Sequence, residues 1–548
     1  MVKDLLERKI ADNLPGLSFD VLIPPDGKMG DYSTNAAFAL AKKEGKDSIS
    51  AGDELVNALK KDKELADIFE KIEVAKPGYV NFFLSEKFLK KQLEKISKEK
   101  EYGFNKSKKG KTVMVEYTDA NPFKLFHIGH LMSNTIGESI ARLYEAAGAK
   151  IIRANYQGDV GLHVAKAIWG MSNMENGMWN MEKIGQAYAK GAKAYEENEN
   201  SKKEIDKINN KIYDRSDREI NKLYDEGKKQ SLEYFETIYK KLGTRFDRYF
   251  FESEAGSDGV DIVKKHPDIF VESDGATVFK GEGYGLHTRV FINSQGLPTY
   301  EAKELGLNKK KFKKDNPDLS IIITGNEIND YFKVLLKVME LTMPEVAAKT
   351  KHISHGMLRL PGGKMSSRTG GVIPAESLIE QTKSKLPESD NVDAMEKIAI
   401  GAIKYSILKQ SPGHDIVFDF EKSLSVKGDS APYLQYTYAR LNNIVAKAGK
   451  LSSGDAEYLT EPVELAIIRR LLMFPDVVLE SGEKIAPQHL ALYLYELSND
   501  ANRFYESIHV LDDENSERKN ARLVLVKTVA TILERGLNLL GISALPRI

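Results

Sequence analysis

The chain has 548 residues, 41% hydrophobic and 29% charged, which is more than one hydrophobic core can hold, so two to four domains are expected. Its 80 Lys and Arg residues balance 80 Asp and Glu residues, excluding a chain-wide basic field but leaving room for local basic grooves. With no cysteine, disulfides, thiolate zinc sites and cysteine nucleophiles are excluded, and ten scattered histidines form no metal-binding pattern. The start, Met1-Val2-Lys3-Asp4, offers no apolar signal segment, and no run approaches the roughly 20 apolar residues that span a bilayer. A cytoplasmic protein with no membrane partner is expected.

A helical opening is followed by a strand pattern over 19–25, ended by prolines. Gly30-Asp31-Tyr32-Ser33-Thr34-Asn35 reads as a turn that caps an apolar helix over 36–41. A turn at 76–78 leads into a short strand over 79–84, then a Lys- and Glu-rich helix over 86–100 and a polar linker over 103–110. The stretch 111–117 has the apolar run of a buried strand, helical spacing follows over 131–147, and 151–156 is the next strand. Strand, helix and strand of these lengths make a βαβ unit of a doubly wound parallel sheet. From about 170 to 248 the chain is charged and helical without a strict heptad, which favours a solvated helical insertion over a coiled-coil seam. Strand patterns return over 286–292 and 319–324, and beyond 371 nearly everything reads as helix.

Two loops carry chemistry. Asn121-Pro122-Phe123-Lys124-Leu125-Phe126-His127-Ile128-Gly129-His130 follows the first strand of the βαβ unit and opens a helix. Histidines three apart share a helix face, the glycine admits a flat ligand, and a helix N-terminus favours anions such as a triphosphate. A lone His-x-x-His is more often a pair of satisfied surface residues. Its place at the carboxyl end of a parallel strand favours a ligand. The second loop, Gly362-Gly363-Lys364-Met365-Ser366-Ser367-Arg368-Thr369-Gly370-Gly371, combines flanking glycines with two cations and two hydroxyls. That composition suits a mobile clamp over phosphates, although a polar glycine-rich hairpin would look similar.

Together the loops resemble the HIGH and KMSKS motifs of class I aminoacyl-tRNA synthetases, in order and separated by a large insertion. More segments resemble the arginyl-tRNA synthetase family along almost the whole chain: Gly158-Asp159-Val160-Gly161-Leu162-His163, Leu242-Gly243-Thr244-Arg245-Phe246-Asp247 and Tyr433-Leu434-Gln435-Tyr436-Thr437-Tyr438-Ala439-Arg440. The resemblance implies an α/β fold: a class I Rossmann-like, doubly wound parallel-sheet catalytic domain, with an α+β N-terminal domain and an all-α C-terminal domain. The implied domains are 1–108 for tRNA binding, 109–375 for catalysis with a helical insertion over about 170–250, a connecting region over 376–427, and an anticodon-binding domain over 428–548. It also implies ATP with Mg²⁺ and no zinc, with L-arginine and tRNA(Arg) as partners, and a monomer. Arginine activation would require bound tRNA.

By the same resemblance His127, Gly129 and His130 hold ATP, and Lys364, Ser366 and Ser367 form the clamp. Arg368 stands where the motif has its second lysine, with Lys124 as reinforcement. Gly325 and Glu327, in Thr324-Gly325-Asn326-Glu327-Ile328, are further ATP contacts beside the ribose. Glu116 would accept the guanidinium, Asn121 would orient the amino or carboxylate end, and Tyr300 with Glu304 would share a helix face toward the ligand. Glutamate at 304 and at 327 replaces the family's usual aspartate. For any one of these carboxylates a solvated helix position is the structural alternative. The run Lys309-Lys310-Lys311-Phe312-Lys313-Lys314 suits phosphates and a stacked base, with a solvated turn as alternative. Tyr433, Tyr436, Tyr438, Phe504 and Tyr505 are candidates for stacking on anticodon bases, or for core packing. A lysine-specific enzyme of the same class and a non-catalytic tRNA-binding relative are the competing readings.

Overall fold

A computed structural model describes residues 2–24, 27–175, 177–360, 373–449 and 454–548. Near the N-terminus, a four-stranded antiparallel sheet runs in the order Val21–Leu22, Tyr32–Thr34, Tyr79–Leu84, Phe69–Ala75. The segment expected as a capping turn is therefore partly a strand. Tyr32, Ser33 and Thr34 are all buried, and Tyr32 pairs with Phe82 across the sheet. Asn35 makes no side-chain cap; its amide instead accepts from the Asp20 backbone at 2.8 Å. The expected strand over 19–25 shrinks to Val21–Leu22.

The central sheet is parallel, with five strands among the described residues. Its order is Thr350–His355, Leu319–Gly325, Thr112–Glu116, Lys150–Gln157, Arg248–Phe251. Numbered along the chain the order is 5-4-1-2-3, so the winding reverses between Thr112–Glu116 and Leu319–Gly325. Ligands of open parallel sheets bind outside the carboxyl ends at such a reversal. The pattern over 286–292 lies elsewhere, as strand Arg289–Ile292 of a small antiparallel sheet with Ala276–Phe279 and Phe270–Ser273. The region beyond 371 is also not wholly helical, since Ile416–Val417 pairs with Leu358–Arg359.

Helices Met181–Glu197, Glu199–Asp214 and Arg218–Leu242 form the insertion. It is more than a solvated face: Val164, Ile168, Trp179, Ile184, Ile205 and Tyr224 make their own core, and Phe123 from the loop before the histidines enters it. The long helix Arg218–Leu242 thus supports that loop from below. Its carboxyl end is tied to the C-terminal helices. Lys404 donates to Leu242 O at 2.6 Å and Gly541 O at 2.7 Å, and Arg142 donates to Asn538 O at 2.8 Å and Gly243 O at 2.9 Å. Cations at helix C-termini complete carbonyls that the helices leave unpaired. Burial, then the charge of Arg142, pushes the Lys404 ammonium down to about 7. The expected linker is also held in place: Tyr102 donates to Leu471 O at 3.1 Å, and Arg535 donates to Tyr102 O at 2.9 Å.

Helices Glu252–Lys265 and Tyr300–Asp315 touch backbone to backbone because glycines sit at their crossing. A Cβ at Gly306 would lie 2.0 Å from Ala255 O, and one at Gly259 would lie 1.8 Å from Ala302 O. Gly306→Ala must therefore push the helices apart, at a cost of about 1–3 kcal/mol. The denaturant midpoint should fall accordingly, whereas Gly283→Ala, which meets open space, should leave it unchanged.

Candidate active site

The apolar strand Thr112–Glu116 ends in a loop that holds Thr118, Asp119 and Phe123 at φ of 82°, 49° and 67°. Non-glycine residues pay roughly 1–3 kcal/mol each for such conformations, so their surroundings must fix them. Ser133 Oγ accepts from Thr118 N at 2.9 Å and donates to Ile323 O at 3.0 Å, joining loop, helix and the fourth strand. Asp119 Oδ1 accepts from Tyr156 N at 3.0 Å, and Ser231 Oγ of the insertion accepts from Phe123 N at 2.9 Å.

Helix Ile128–Ala146 then starts on the histidine pair. His127 Nδ1 accepts from Gly129 N at 3.1 Å and His130 N at 3.4 Å, while His130 Nδ1 accepts from His127 N at 3.2 Å. The rings stack with centroids 3.6 Å apart. A Cβ on Gly129 would lie 3.1 Å from the His127 ring, so glycine suits that stack. Burial is the main cause, and the Lys124 charge the second, that pushes His127 down to about 4. Burial, then His127, holds His130 well below the ordinary range. Both rings are neutral near pH 7. An Nδ1 that accepts carries no proton, so each Nε2 must carry it. The turn therefore presents neutral N–H donors at a helix N-terminus, which suits an anion without a compensating cation.

These residues line a cavity of about 530 Å³ that also takes in Glu116, Asn121, Gly129, Tyr156, Tyr300, Glu304, Gly325 and Glu327. Asn121 Oδ1 already accepts from Gly158 N at 3.0 Å, so its Nδ2 donor is what it has left for a ligand. Glu327 is exposed beside Gly325, the last residue of strand Leu319–Gly325. Tyr300 is 61% exposed, at the mouth.

Glu116 lines the cavity but already has an internal cation beside it. Its carboxylate meets the Lys311 ammonium at 2.6 Å, with both side chains buried. This also corrects the expected phosphate-binding run at 309–314: Lys311 faces the sheet, and Lys309 and Lys310 both reach Asp258, at 2.6 and 3.1 Å. Glu304, one turn beyond Tyr300, is the carboxylate left over. Its Oε2 is buried with no hydrogen-bond partner among the described residues, as are Glu116 Oε2 and the nearby Tyr156 hydroxyl, but only Glu116 has the Lys311 ammonium against it. Burial first, and Glu116 second, push the Glu304 carboxyl up to about 8.

Lys124 sits half-buried over the Tyr188 ring of the insertion at 5.7 Å, and its charge acts on both His127 and His130. Lys364, Ser366, Ser367 and Arg368 lie outside the described residues. Sequence reasoning missed Tyr156, the Glu252–Lys303 pair at 2.7 Å and His355. Tyr156 carried a usable signal, since it ends the strand expected over 151–156, whereas no strand is expected over 350–355 to point to His355. Of the proposed aromatics, Tyr438 and Phe504 are core residues, whereas Tyr436 and Tyr505 are exposed and flank the Arg440 guanidinium at 4.7 and 4.5 Å. Among the described residues no group of three or more His, Asp or Glu side chains could hold a metal ion, and no helix is long and apolar enough to cross a membrane.

A parallel sheet with this site at its switch point, followed by an all-α domain, defines a class I synthetase architecture, and residues 92–420 match the family described as tRNA synthetases class I (R), catalytic domain. Residues 2–84 match the arginyl tRNA synthetase N-terminal domain, and 434–548 match the DALR anticodon binding domain. The chain is similar to the arginine--tRNA ligase of Fusobacterium nucleatum, at 31% identity over 99% of this chain and 98% of that one. The Clostridium acetobutylicum ligase is 30% identical over 95% and 94%. The fold matches the Thermus thermophilus arginyl-tRNA synthetase with a TM-score of 0.83 at 24% identity, each chain fully covered. It matches the Plasmodium falciparum enzyme at 0.81 and 21%, over 100% of this chain and 98% of that one. The chain belongs to the arginyl-tRNA synthetase family.

The elevated Glu304 carboxyl has two consequences. Because its pKa is raised in the folded state, its contribution to stability is complete below the ordinary carboxylate range and is lost as pH climbs toward about 8. A bound cation favours the ionised form, so the KM of a cationic substrate should fall as pH rises from 7 to 9. In Glu304→Gln that slope should vanish and KM should rise by about 10²-fold. A parallel slope in the variant would assign the titration to another group.

Proposed function

We propose that the chain charges tRNA with arginine in two steps at this cavity. The arginine carboxylate attacks the α-phosphate of ATP and expels diphosphate. The adenylate then passes arginine to a terminal ribose hydroxyl of tRNA, releasing AMP. The observation that carries this reading is the polarity of one cavity. Neutral N–H donors at a helix start occupy one side, and an unpaired buried carboxylate with a free phenol occupies the other. A guanidinium is planar, permanently charged and rich in donors, and so answers both unsatisfied groups at once.

In this scheme His127 and His130 donate Nε2–H to phosphate oxygens, and the Gly129 position lets the nucleotide approach the turn. Charge that develops on the leaving diphosphate meets donors already in place. By the family resemblance Lys364, Ser366, Ser367 and Arg368 are assigned to the same phosphates; Gly325 and Glu327 flank the ribose, and Asn121 holds the arginine carboxylate through Nδ2. Glu304 and Tyr156 take the guanidinium, with Tyr300 at the mouth. Lys124 supports the loop electrostatically from the insertion side. Mg²⁺ enters with ATP and neutralises the triphosphate; no zinc is required. The N-terminal and C-terminal domains bind tRNA(Arg), with Tyr436, Arg440 and Tyr505 as an exposed stacking platform. The protein acts as a cytoplasmic monomer.

Aminoacylation with purified tRNA, comparing arginine with lysine, tests the reading. Arginine should be preferred by about 10²-fold or more, because a point-charge ammonium leaves the forked site unsatisfied. Equal use of both would contradict it. ATP–diphosphate exchange should require tRNA. His130→Ala should lower exchange by about 10²–10³-fold, while tRNA affinity stays within about twofold.

A further inference from the structure

The cavity holds a third histidine whose hydrogen bonding is the reverse of the other two. His355 ends the edge strand Thr350–His355, is 5% exposed and lines the cavity beyond Thr324 and Gly325. Its Nδ1 lies 2.7 Å from the Gly356 carbonyl oxygen. A carbonyl can only accept, so Nδ1 carries the proton. Burial keeps the ring neutral, which leaves Nε2 as a bare lone pair. His127 and His130 therefore offer donors, and His355 offers an acceptor, one strand farther along the carboxyl edge of the sheet. A lone pair there would repel phosphate. It matches a hydrogen-bond donor on the part of the nucleotide farthest from the phosphates.

We propose that His355 Nε2 accepts a hydrogen bond from the exocyclic 6-amino group of the purine, making His355 the residue that selects ATP over 6-oxopurine nucleotides. The inference rests on the reading of the cavity as an ATP site. Adenine presents an N–H donor at position 6, where hypoxanthine and guanine present a carbonyl oxygen. Against Nε2 that oxygen sets two lone pairs face to face, leaving both buried acceptors unpaired. Sites that hydrogen-bond a substrate group reject analogues lacking it far better than sites that rely on shape.

The test compares kcat/KM for ATP, inosine triphosphate and purine riboside triphosphate in the full chain with tRNA and arginine. The wild type should prefer ATP over inosine triphosphate by about 10²-fold or more. His355→Phe should lower that ratio at least about tenfold and use ATP and purine riboside triphosphate equally well. His355→Gln, whose amide turns to accept or to donate, should retain ATP use and gain inosine triphosphate. Ratios unchanged in either active variant would overturn the assignment. So would loss of activity that falls equally on all three nucleotides. A wild type that charges tRNA using ATP but shows no base preference would sink this inference and leave the proposed function intact. A wild type inactive with ATP would sink the function first.

Discussion

Glu116 closes the central strand at its carboxyl end and meets the Lys311 ammonium at 2.6 Å, with neither side chain open to water. Taking two charges out of water is expensive, and such a pair is seldom a net gain over apolar residues of the same shape. Its value here is geometric. It pins the helix Tyr300–Asp315 against the sheet in one register, and Tyr300, Lys303 and Glu304 all ride on that helix. Lys303 is in turn matched to Glu252. Two buried carboxylates are thereby neutralised from within, and Glu304 is left with a place for a positive charge from outside.

The same economy governs the phosphate end. The helix start is capped by two imidazoles, so their Nδ1 atoms are occupied and their tautomers fixed before a ligand arrives. Groups whose protonation and orientation are settled in advance need little reorganisation during reaction. The strained loop that delivers them is braced by Ser133 on one side and Ser231 of the insertion on the other. Lys404 and Arg142 bind the far end of the bracing helix to the C-terminal helices. The site is therefore mechanically continuous with the domain that matches the anticodon-binding family.

Much of this was legible in the residues. Apolar runs marked the strands at 112–116 and 150–157, and helical spacing marked the helix between them, because buried parallel strands and their crossovers leave strong local patterns. The pairing at 127 and 130 also stood out, but not its capping role, since histidine is not among the usual cap residues. Long-range partners left no local trace. Nothing around Lys311 distinguishes it from Lys309 or Lys313; its burial follows from facing the sheet, where a carboxylate far away in the chain meets it. Glu116 looked like the natural guanidinium acceptor for the same reason, as its internal partner is invisible without the fold. The strand at 289–292 was recognised as a strand but not as part of a separate antiparallel sheet, which local pattern cannot tell.

The central claim is that Glu304, and not Glu116, meets the substrate's charge. The most direct measurement is the KM for arginine in the double variant Glu116→Gln/Lys311→Met, which removes the internal pair without leaving either buried charge alone. The account predicts a folded enzyme whose KM stays within about threefold of the wild type, because the opposite effects of Glu116 and Lys311 on the Glu304 carboxyl are removed together. A rise of about 10²-fold, equal to that expected for Glu304→Gln, would show that Glu116 carries the substrate after all.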